Sequence, residues 1–229
     1  MYKYGNLKTV AVIPAFNEAK TIRQAVNEVK EKTDEVVVVN DASTDQTGDL
    51  AKSAGAKVLT HLVNRDQGAA LQTGTDYALL QGADIIIHFD ADGQHRAEDI
   101  QRLIEPLLKG EADVVLGSRF MGEVSNIPPL RKIVLFLGKL FNLLFLGVTL
   151  TDPQSGLRVL TRAAAKRIEI TEDGKAHCSE ILGQLKKNNL RVKEVPIVVN
   201  YTSYSKQKGQ SNFNAVRIGL RLILKKFLK

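Results

Sequence analysis

Two aspartates separated by one residue, Asp90 and Asp92, follow a run of branched apolar residues at 85–87. Such a run is typical of a buried parallel strand, and strands of this kind deliver ligand-binding residues at their carboxyl ends. On an extended backbone both carboxylates can point toward one region, where a hard divalent cation would relieve their mutual repulsion. The spacing therefore predicts a site for Mg²⁺ or Mn²⁺, whose open positions would take phosphate oxygens. For Asp-x-Asp alone, the alternative is a turn at the end of the strand.

The elements that would position this pair alternate between strands and helices. Helices of 10–15 residues between short strands imply βαβ units, and therefore an α/β fold with a mostly parallel sheet. Pro14 is expected to end the first strand, and Asn17 to cap the helix that follows it. Strands are predicted at residues 7–13, 35–40, 56–61, 84–89, 113–116, 157–160 and 191–199. Helices are predicted at 19–32, 68–80, 96–109 and 179–187, and one more follows the polar loop at 41–47 and runs through Ala54.

Polar loops follow several of the predicted strands, and four of them should meet at one edge of the sheet. They are residues 14–18, 40–45, 64–70 and 90–92, and the third supplies Gly68 in front of a helix. No Gly-x-Gly-x-x-Gly follows the first strand, and no Gly-Lys-Ser/Thr phosphate loop is present. A dinucleotide dehydrogenase or an ATPase therefore lacks its expected motif.

Residues 127–150 are strongly apolar but contain Lys139 near their middle. A spanning helix needs about 20 mainly apolar residues, so this run is marginal for crossing a membrane. It favours a helix or helix pair at the membrane interface, and a buried core helix is the alternative.

The positive charge of the chain lies in its carboxyl tail. Residues 201–229 contain seven Lys or Arg and no Asp or Glu, which equals the whole formal net charge of +7. Residues 213–229 are predicted to form a basic, imperfectly amphipathic helix, which suits an anionic membrane surface. Nucleic acid is a poorer candidate, because no aromatic stacking platform accompanies the charge.

The single cysteine, Cys178, excludes an intrachain disulfide and makes a zinc cluster implausible. No signal peptide is visible in the first residues. Together with the basic tail, these features lead us to expect a chain that is peripherally associated with the cytoplasmic face of a membrane.

Taken together and in order, three motifs resemble those of the family 2 glycosyltransferases with the GT-A fold. Residues 12–18 (VIPAFNE) resemble the opening motif, residues 39–45 (VNDASTD) the nucleotide-binding loop, and residues 90–95 (DADGQH) the metal motif. The resemblance extends from residue 8 to about residue 212. It implies a Rossmann-like GT-A domain over residues 1–212, followed by the basic helix at 213–229.

The resemblance also implies roles for individual residues at the sheet edge. Asp90, Asp92 and Gln94 would bind the metal, Asp41 would hydrogen-bond the base or ribose, and Glu18 would contact the nucleotide. The implied nucleotide-sugar site consists of Pro14, Ala15, Phe16, Glu18, Asn40, Asp41, Gly68, Asp90, Ala91 and Asp92.

Within that family the chain looks most like the dolichyl-phosphate mannose synthase branch, which includes polyprenyl-phosphate glucosyltransferases. The resemblance lies in residues 117–120 (GSRF), in Arg131 before the apolar segment, in residues 152–158 (DPQSGLR) and in residues 209–211 (GQS). Asn212 stands where the branch has a Lys, so Lys206 or Lys208 would have to supply that phosphate contact.

The branch implies inverting transfer of a sugar from a nucleotide-diphosphate sugar, GDP-mannose or a UDP-hexose, to a polyprenyl or dolichyl phosphate. Arg119 and Arg131 would hold the acceptor phosphate, because a guanidinium suits phosphate geometry and stays charged. Asp152 would orient the acceptor loop, or act as the base if the acceptor were a hydroxyl. The catalytic residues would be Asp92, Arg119, Arg131 and Asp152, and the acceptor-phosphate residues Arg119, Arg131, Ser155, Lys206, Lys208 and Ser211.

Two other functions stay open at this point. One is a non-processive glycosyltransferase that acts on a sugar hydroxyl, and the other is a non-catalytic membrane protein that binds nucleotide sugars. A nucleotidyltransferase is disfavoured, because no glycine-rich loop with Arg or Lys follows the first strand.

Overall fold

The computed structural model describes residues 3–121, 150–174 and 176–200. Within these residues the strands are β1 (Thr9–Ala15), β2 (Glu35–Asn40), β3 (Lys57–Thr60), β4 (Ile85–His88), β5 (Val114–Ser118), β6 (Arg158–Thr161) and β7 (Val192–Pro196). The helices are α1 (Ile22–Lys30), α2 (Thr47–Ser53), α3 (Asp66–Leu80), α4 (Asp99–Leu108), α5 (Arg162–Ala165) and α6 (His177–Lys187).

The seven strands form one sheet in the order β3-β2-β1-β4-β6-β5-β7. Every neighbouring pair is parallel except the two that involve β6, which runs antiparallel to both β4 and β5. The predicted mostly parallel α/β sheet is therefore confirmed. Because β6 is reversed, its amino end lies at the same edge as the carboxyl ends of the other six strands. The loop before β6 is thereby brought to the edge that carries the predicted site.

Helices cover both faces of the sheet, and each face has its own apolar cluster. The central strands are buried on both sides, as continuous apolar runs such as residues 36–39 predict for a parallel sheet. On one face α1 and α4 supply Ile22, Val26, Val29, Ile100, Leu103 and Ile104. On the other face α3 and α6 supply Ala70, Leu71, Ala78, Ile181, Leu182 and Leu185.

The prediction that Pro14 ends the first strand is wrong. Pro14 lies inside β1 and pairs with Val39 of β2. The carbonyl of Val12 accepts a hydrogen bond from Phe89 N, directly after β4, at 3.0 Å. Because strand residues two positions apart face the same neighbouring strand, the nitrogen of Pro14 also faces the β4 side. The β1–β4 pairing ends at Val12 and His88. A proline just beyond that point removes no hydrogen bond from the ladder.

Asn17 does not cap α1, which is the second correction. The helix begins at Ile22 with Thr21 in the N-cap position. Asn17 has a positive φ of 53°, and its Oδ1 accepts a hydrogen bond from Thr44 N at 2.9 Å. Its side chain therefore joins the loop after β1 to the loop after β2.

Several predictions fall outside the described residues. They are the apolar segment at 127–150 apart from Leu150, the phosphate-binding roles of Arg131, Lys206, Lys208 and Ser211, and the basic helix at 213–229. Among the described residues, no helix has both the length and the apolar character that crossing a membrane requires.

Candidate active site

The two aspartates of the metal motif lie directly after β4, and neighbouring side chains orient the first of them. Asp90 Oδ1 accepts a hydrogen bond from Gln67 Nε2 at 2.8 Å, and its Oδ2 lies 3.4 Å from His95 Nε2. Asp92 Oδ1 accepts the backbone N–H of Gln94 at 3.0 Å. Gly93, between these two residues, has a φ of +71°. This left-handed conformation suits glycine and lets the backbone turn so that Gln94 N–H points back at Asp92.

The two carboxyl groups differ in their electrostatics. Burial, followed by the charge of Asp90, raises the pKa of Asp92 to about 6. Burial also opposes ionisation of Asp90, yet its hydrogen bond and charge interaction with His95 lower the pKa of Asp90 overall. One carboxylate of the pair therefore carries an unfavourable charge near neutral pH, which a cation between the two would relieve.

The donor set fits a hard divalent cation. Asp90 and Asp92 offer carboxylate oxygens, which Mg²⁺ and Mn²⁺ prefer over nitrogen or sulfur. Within the described ranges, no third His, Cys, Asp or Glu joins them in a group that could hold a metal. A cation bound by two carboxylates keeps positions for water or phosphate oxygens. The Gln94 backbone contacts Asp92 and Asn200, and a metal contact from its side chain stays a prediction.

Gly156 packs directly against Asp90, a contact that the sequence did not indicate. A Cβ atom at Gly156 would lie 2.0 Å from Asp90 Oδ2 and 2.7 Å from Asp90 Cγ. Only glycine leaves room for the carboxylate at this place. The loop before β6 therefore helps to set the position of a metal-motif side chain that follows β4.

The loops after β1 and β2 are joined by hydrogen bonds. Asn17 N donates to Ser43 Oγ at 3.0 Å, and Glu18 N donates to Thr47 Oγ1 at 2.8 Å. Asn40 Oδ1 accepts a hydrogen bond from Ser43 N at 3.1 Å. The predicted opening motif and the predicted nucleotide-binding loop thus form one connected surface at the sheet edge.

Asp41 connects this surface to the segment before α3. Its Oδ1 accepts the N–H of Arg65 at 2.9 Å and lies 2.7 Å from His61 Nδ1. The other ring nitrogen of His61 lies 2.9 Å from Thr73 Oγ1. His61, which no sequence pattern singled out, therefore orients Asp41. Ala42, the next residue, has a φ of +58°, a strained conformation for alanine of the kind that clusters at functional sites.

The remaining predicted donor-site residues also lie at this edge. Pro14 and Ala15 are buried in β1, Ala91 is buried in the metal loop, and Phe16 is 44% exposed. Glu18 Oε2 accepts a hydrogen bond from Thr21 Oγ1 at 3.1 Å.

Gly68 has a packing role that the sequence did not predict. Its N–H donates to Asp173 O at 2.6 Å, and a Cβ atom there would lie 2.0 Å from Glu172 O. The absence of a side chain lets α3 approach the backbone before α6. A contact between Gly68 and the nucleotide stays a prediction.

Arg119 and Asp152 form a buried ion pair beside the end of β5. Arg119 Nε donates to Asp152 Oδ2 at 2.5 Å, and Arg119 N donates to the same oxygen at 3.2 Å. Both side chains are less than a tenth exposed. Ser155, also buried, donates through Oγ to Leu157 O at 3.4 Å. Asp152 thus orients one of the two predicted acceptor arginines.

Glu194 on β7 holds the Asp152 loop, and the sequence did not identify it. Its carboxylate accepts hydrogen bonds from Thr151 N at 2.7 Å, Thr151 Oγ1 at 2.8 Å and Asp152 N at 2.8 Å. Thr151 Oγ1 also lies 2.6 Å from Ser118 Oγ, next to Arg119. A chain of contacts therefore runs from β7 through Asp152 to Arg119.

A mostly parallel sheet with an Asp-x-Asp pair among the loops of its carboxyl edge is the arrangement of GT-A glycosyltransferases. The glycosyl transferase family 2 model matches residues 10–169, and the chain belongs to this family. It is therefore a glycosyltransferase, and the resemblance seen in the motifs is confirmed.

The chain is similar to two relatives and one solved structure that bear on its function and fold. The UDP-N-acetylglucosamine–dolichyl-phosphate N-acetylglucosaminyltransferase of Methanococcus voltae is 34% identical over 95% of this chain and 96% of its own. The undecaprenyl-phosphate mannosyltransferase of Micrococcus luteus is 29% identical over 93% and 90%. The structure is glucosyl-3-phosphoglycerate synthase from Mycobacterium tuberculosis with Mn²⁺, UDP-glucose and phosphoglyceric acid. Its TM-score is 0.73 at 21% identity, over 94% of this chain and 79% of that one, which supports the GT-A fold.

Proposed function

We propose that this glycosyltransferase moves a hexosyl group from a nucleotide-diphosphate sugar to a polyprenyl or dolichyl phosphate, with inversion and with Mg²⁺ or Mn²⁺. The observation that carries the proposal is the Asp90–Asp92 pair, which lies between the joined loops after β1 and β2 and the loop that holds Arg119. A donor diphosphate and an acceptor phosphate would meet at this edge.

Asp90 and Asp92 would hold the cation, and Gln94 is the third proposed ligand. When bound, the cation neutralises negative charge that develops on the departing diphosphate. Gln67 and His95 position Asp90 through their contacts with its two carboxylate oxygens. Burial and the charge of Asp90 raise the pKa of Asp92, and a cation held by both carboxylates would relieve this unfavourable charge.

The donor nucleotide would bind across the loops after β1 and β2. Asp41, fixed by His61 and Arg65 N–H, would accept a hydrogen bond from the base or ribose. The joined loops hold Glu18 and Asn40 in place before the ligand arrives, which lowers the entropic cost of binding. The donor is GDP-mannose or a UDP-hexose, and a panel of donors distinguishes the two.

The acceptor phosphate would bind to Arg119, with Arg131, Ser155, Lys206, Lys208 and Ser211 as further contacts. Lipid phosphate is already an anion near neutral pH, so the attacking oxygen needs no dedicated general base. The ion pair with Asp152 fixes Arg119 Nε, and a guanidinium carries further N–H groups of a geometry that suits a phosphate. Asp152 would then serve as a positioning residue.

The named activities of the relatives support a lipid-phosphate acceptor. One relative carries dolichyl phosphate in its name and another undecaprenyl phosphate. Both cover nine tenths or more of this chain. We propose that the apolar segment at 127–150 and the basic helix at 213–229 attach the GT-A domain of residues 1–212 to the cytoplasmic face of an anionic membrane. Nucleic acid is not proposed as a partner.

Replacing Glu194 by Gln is expected to weaken acceptor use selectively. Thr151 N donates to both carboxylate oxygens, so the amide nitrogen of Gln would oppose this N–H in either orientation of the amide. Loss of the negative charge would also weaken the hydrogen bonds from Thr151 Oγ1 and Asp152 N, and the Asp152 loop and Arg119 would be held less firmly. We expect KM for lipid phosphate to rise about tenfold, which corresponds to a loss of about 1.4 kcal/mol of binding free energy. KM for the donor should change little. Initial rates with each substrate varied in turn provide the measurement.

Glu111→Gln is the matched control for this variant, because Glu111 is exposed and pairs with Lys193 on the surface. Equal effects of Glu194→Gln on both KM values, or none on either, would remove the positioning role of Glu194.

A panel of donors and acceptors tests the proposed function. The full chain is incubated with GDP-mannose, UDP-glucose or UDP-N-acetylglucosamine, with Mn²⁺, and with either a short-chain polyprenyl phosphate or a sugar with free hydroxyls. Nucleotide release and a glycosylated lipid are expected only with lipid phosphate, and Arg131→Ala should lower that rate. Transfer to the sugar hydroxyl alone would establish the alternative acceptor class. Unchanged lipid transfer by Arg131→Ala would refute the assignment of Arg131.

A further inference from the structure

A buried cluster of nitrogen-bearing side chains surrounds the only cysteine of the chain. Arg158 begins β6 and lies directly opposite His88 of β4. Arg158 Nη2 donates a hydrogen bond to Cys178 Sγ at 3.0 Å, and His177 Nε2 lies 3.5 Å from the same sulfur. Arg158 and His177 are 2% and 1% exposed, whereas Cys178 is partly exposed. The sulfur therefore has two nitrogen partners, in a residue that is not fully enclosed.

These surroundings favour the thiolate form of Cys178. Burial alone would raise the pKa of the thiol, but the charges and hydrogen bonds of His177 and Arg158 lower it to about 6. Burial likewise disfavours a charged His177, yet the pairing with Cys178 raises the pKa of the imidazole overall. Cys178 is also the second residue of α6, and a helix amino terminus stabilises a thiolate. The contacts of Cys178 with His177 and Arg158 therefore favour a thiolate paired with an imidazolium.

The same cluster contains a donor without a partner. Arg158 Nη1 is buried and has no hydrogen-bond partner within the part of the chain that the structure describes, and the same holds for His88 Nδ1 on the facing strand. A guanidinium cannot be neutralised in a protein, so an unused N–H on it is a standing cost that an added oxygen acceptor would remove. Nη1 and Nη2 belong to one rigid planar group. An oxygen bound to, or approaching, the Cys178 sulfur is therefore placed beside an unused donor.

We propose that Cys178 is a thiol modification site that takes hydroperoxides. The thiolate sulfur attacks one peroxide oxygen, an S–O bond forms, and the O–O bond breaks. The sulfur is oxidised to a sulfenic acid, and the peroxide is reduced to an alcohol, or to water from hydrogen peroxide. The departing oxygen takes its proton from the His177 imidazolium, and Arg158 Nη1 donates to the oxygens as they rearrange. This reaction is separate from sugar transfer and does not depend on the proposed acceptor.

The test uses hydrogen peroxide on the full chain, with dimedone to trap the sulfenic acid and intact mass as the readout. Because Cys178 is the only cysteine, each adduct reports on this site, and Cys178→Ser is the blank. An ordinary thiol is only a few per cent thiolate near pH 7. We expect the folded chain to form the adduct at least about tenfold faster than glutathione does under the same conditions.

Two comparisons distinguish an activated Cys178 from an ordinary thiol. His177→Gln removes the imidazole partner and should slow adduct formation several-fold, with the far-ultraviolet circular dichroism unchanged. Independently of any variant, unfolding the wild-type chain in urea should slow the reaction to the rate of an ordinary thiol. A folded chain that reacts no faster than the unfolded one, or that reacts only after unfolding, would overturn the proposal.

Discussion

Replacing Asp92 by Asn is expected to reduce sugar transfer by about a hundred- to a thousandfold, the loss seen when a preorganised electrostatic contact to developing charge is removed. The amide can still accept the N–H of Gln94, which now bonds to Asp92 Oδ1, so the loop should keep its shape. It cannot supply the negative charge that holds a cation. Activity should therefore fall without a loss of folding.

The same substitution is expected to stabilise the metal-free protein. The pKa of Asp92 is about 6 in the folded chain, above its value of about 3.9 in an unfolded chain. Between these two values the folded state binds more protons than the unfolded state, so the contribution of Asp92 to stability falls as pH rises from about 4 to 6. At pH 7 the full penalty is present, and Asn removes it, which should raise the free energy of unfolding by about 3 kcal/mol at most.

Urea unfolding of the wild type and the variant at about pH 4.5 and pH 7, with chelator present, measures this effect across the window in which the proton is lost. The difference in unfolding free energy between the two proteins reports the titration of Asp92. Asp90, whose pKa is lowered, is present in both proteins. Asp76→Asn, an exposed position on α3, is the control and should change neither activity nor pH dependence. A variant of Asp92 that keeps wild-type turnover would refute its metal role.

Replacing Gly156 by Ala is expected to lower kcat/KM by about a hundredfold, comparable to losing a group that supports a metal ligand. The added Cβ would lie 2.0 Å from Asp90 Oδ2, a distance that forces the carboxylate or the loop to move. Asp90 would then lose its contacts with Gln67 and His95, and the affinity for Mn²⁺ should fall with the rate. Titration of Mn²⁺ by electron paramagnetic resonance, together with initial rates, provides the measurement.

Gly174→Ala is the matched control, because a Cβ there would meet only Asp66 Oδ2 at an ordinary 3.6 Å. It should bind Mn²⁺ and turn over as the wild type does. If Gly156→Ala also kept its Mn²⁺ affinity, the contact with Asp90 would not control the metal site.

Much of the fold could be predicted from local sequence patterns. Continuous β-branched runs indicate buried parallel strands, and the polar residues after them indicate a shared edge. Asp90, Asp92 and Asp41 are predictable in this way, and the structure brings their loops to one edge. The reversed direction of β6 was not predictable, because its sequence has no feature that distinguishes an antiparallel strand from a parallel one.

The residues that the sequence missed act through contacts between distant parts of the chain. Gln67 and Asp90 are 23 residues apart, and Glu194 and Asp152 are 42 residues apart. Nothing in the local pattern marks such partners, since a glutamine on a helix or a glutamate on an edge strand is usually a solvated side chain. Gly156 carried a signal only as part of a resemblance. Its physical reason, space for Asp90, requires the packed structure.

The measurement that tests the central claim most directly is anomalous scattering from crystals soaked with Mn²⁺ and a nucleotide-diphosphate sugar. We predict one strong Mn²⁺ peak at about 2.1 Å from oxygens of both Asp90 and Asp92, with donor phosphate oxygens in its remaining positions. A nucleotide bound elsewhere, or a nucleotide bound at this edge with no cation on either aspartate, would contradict the account.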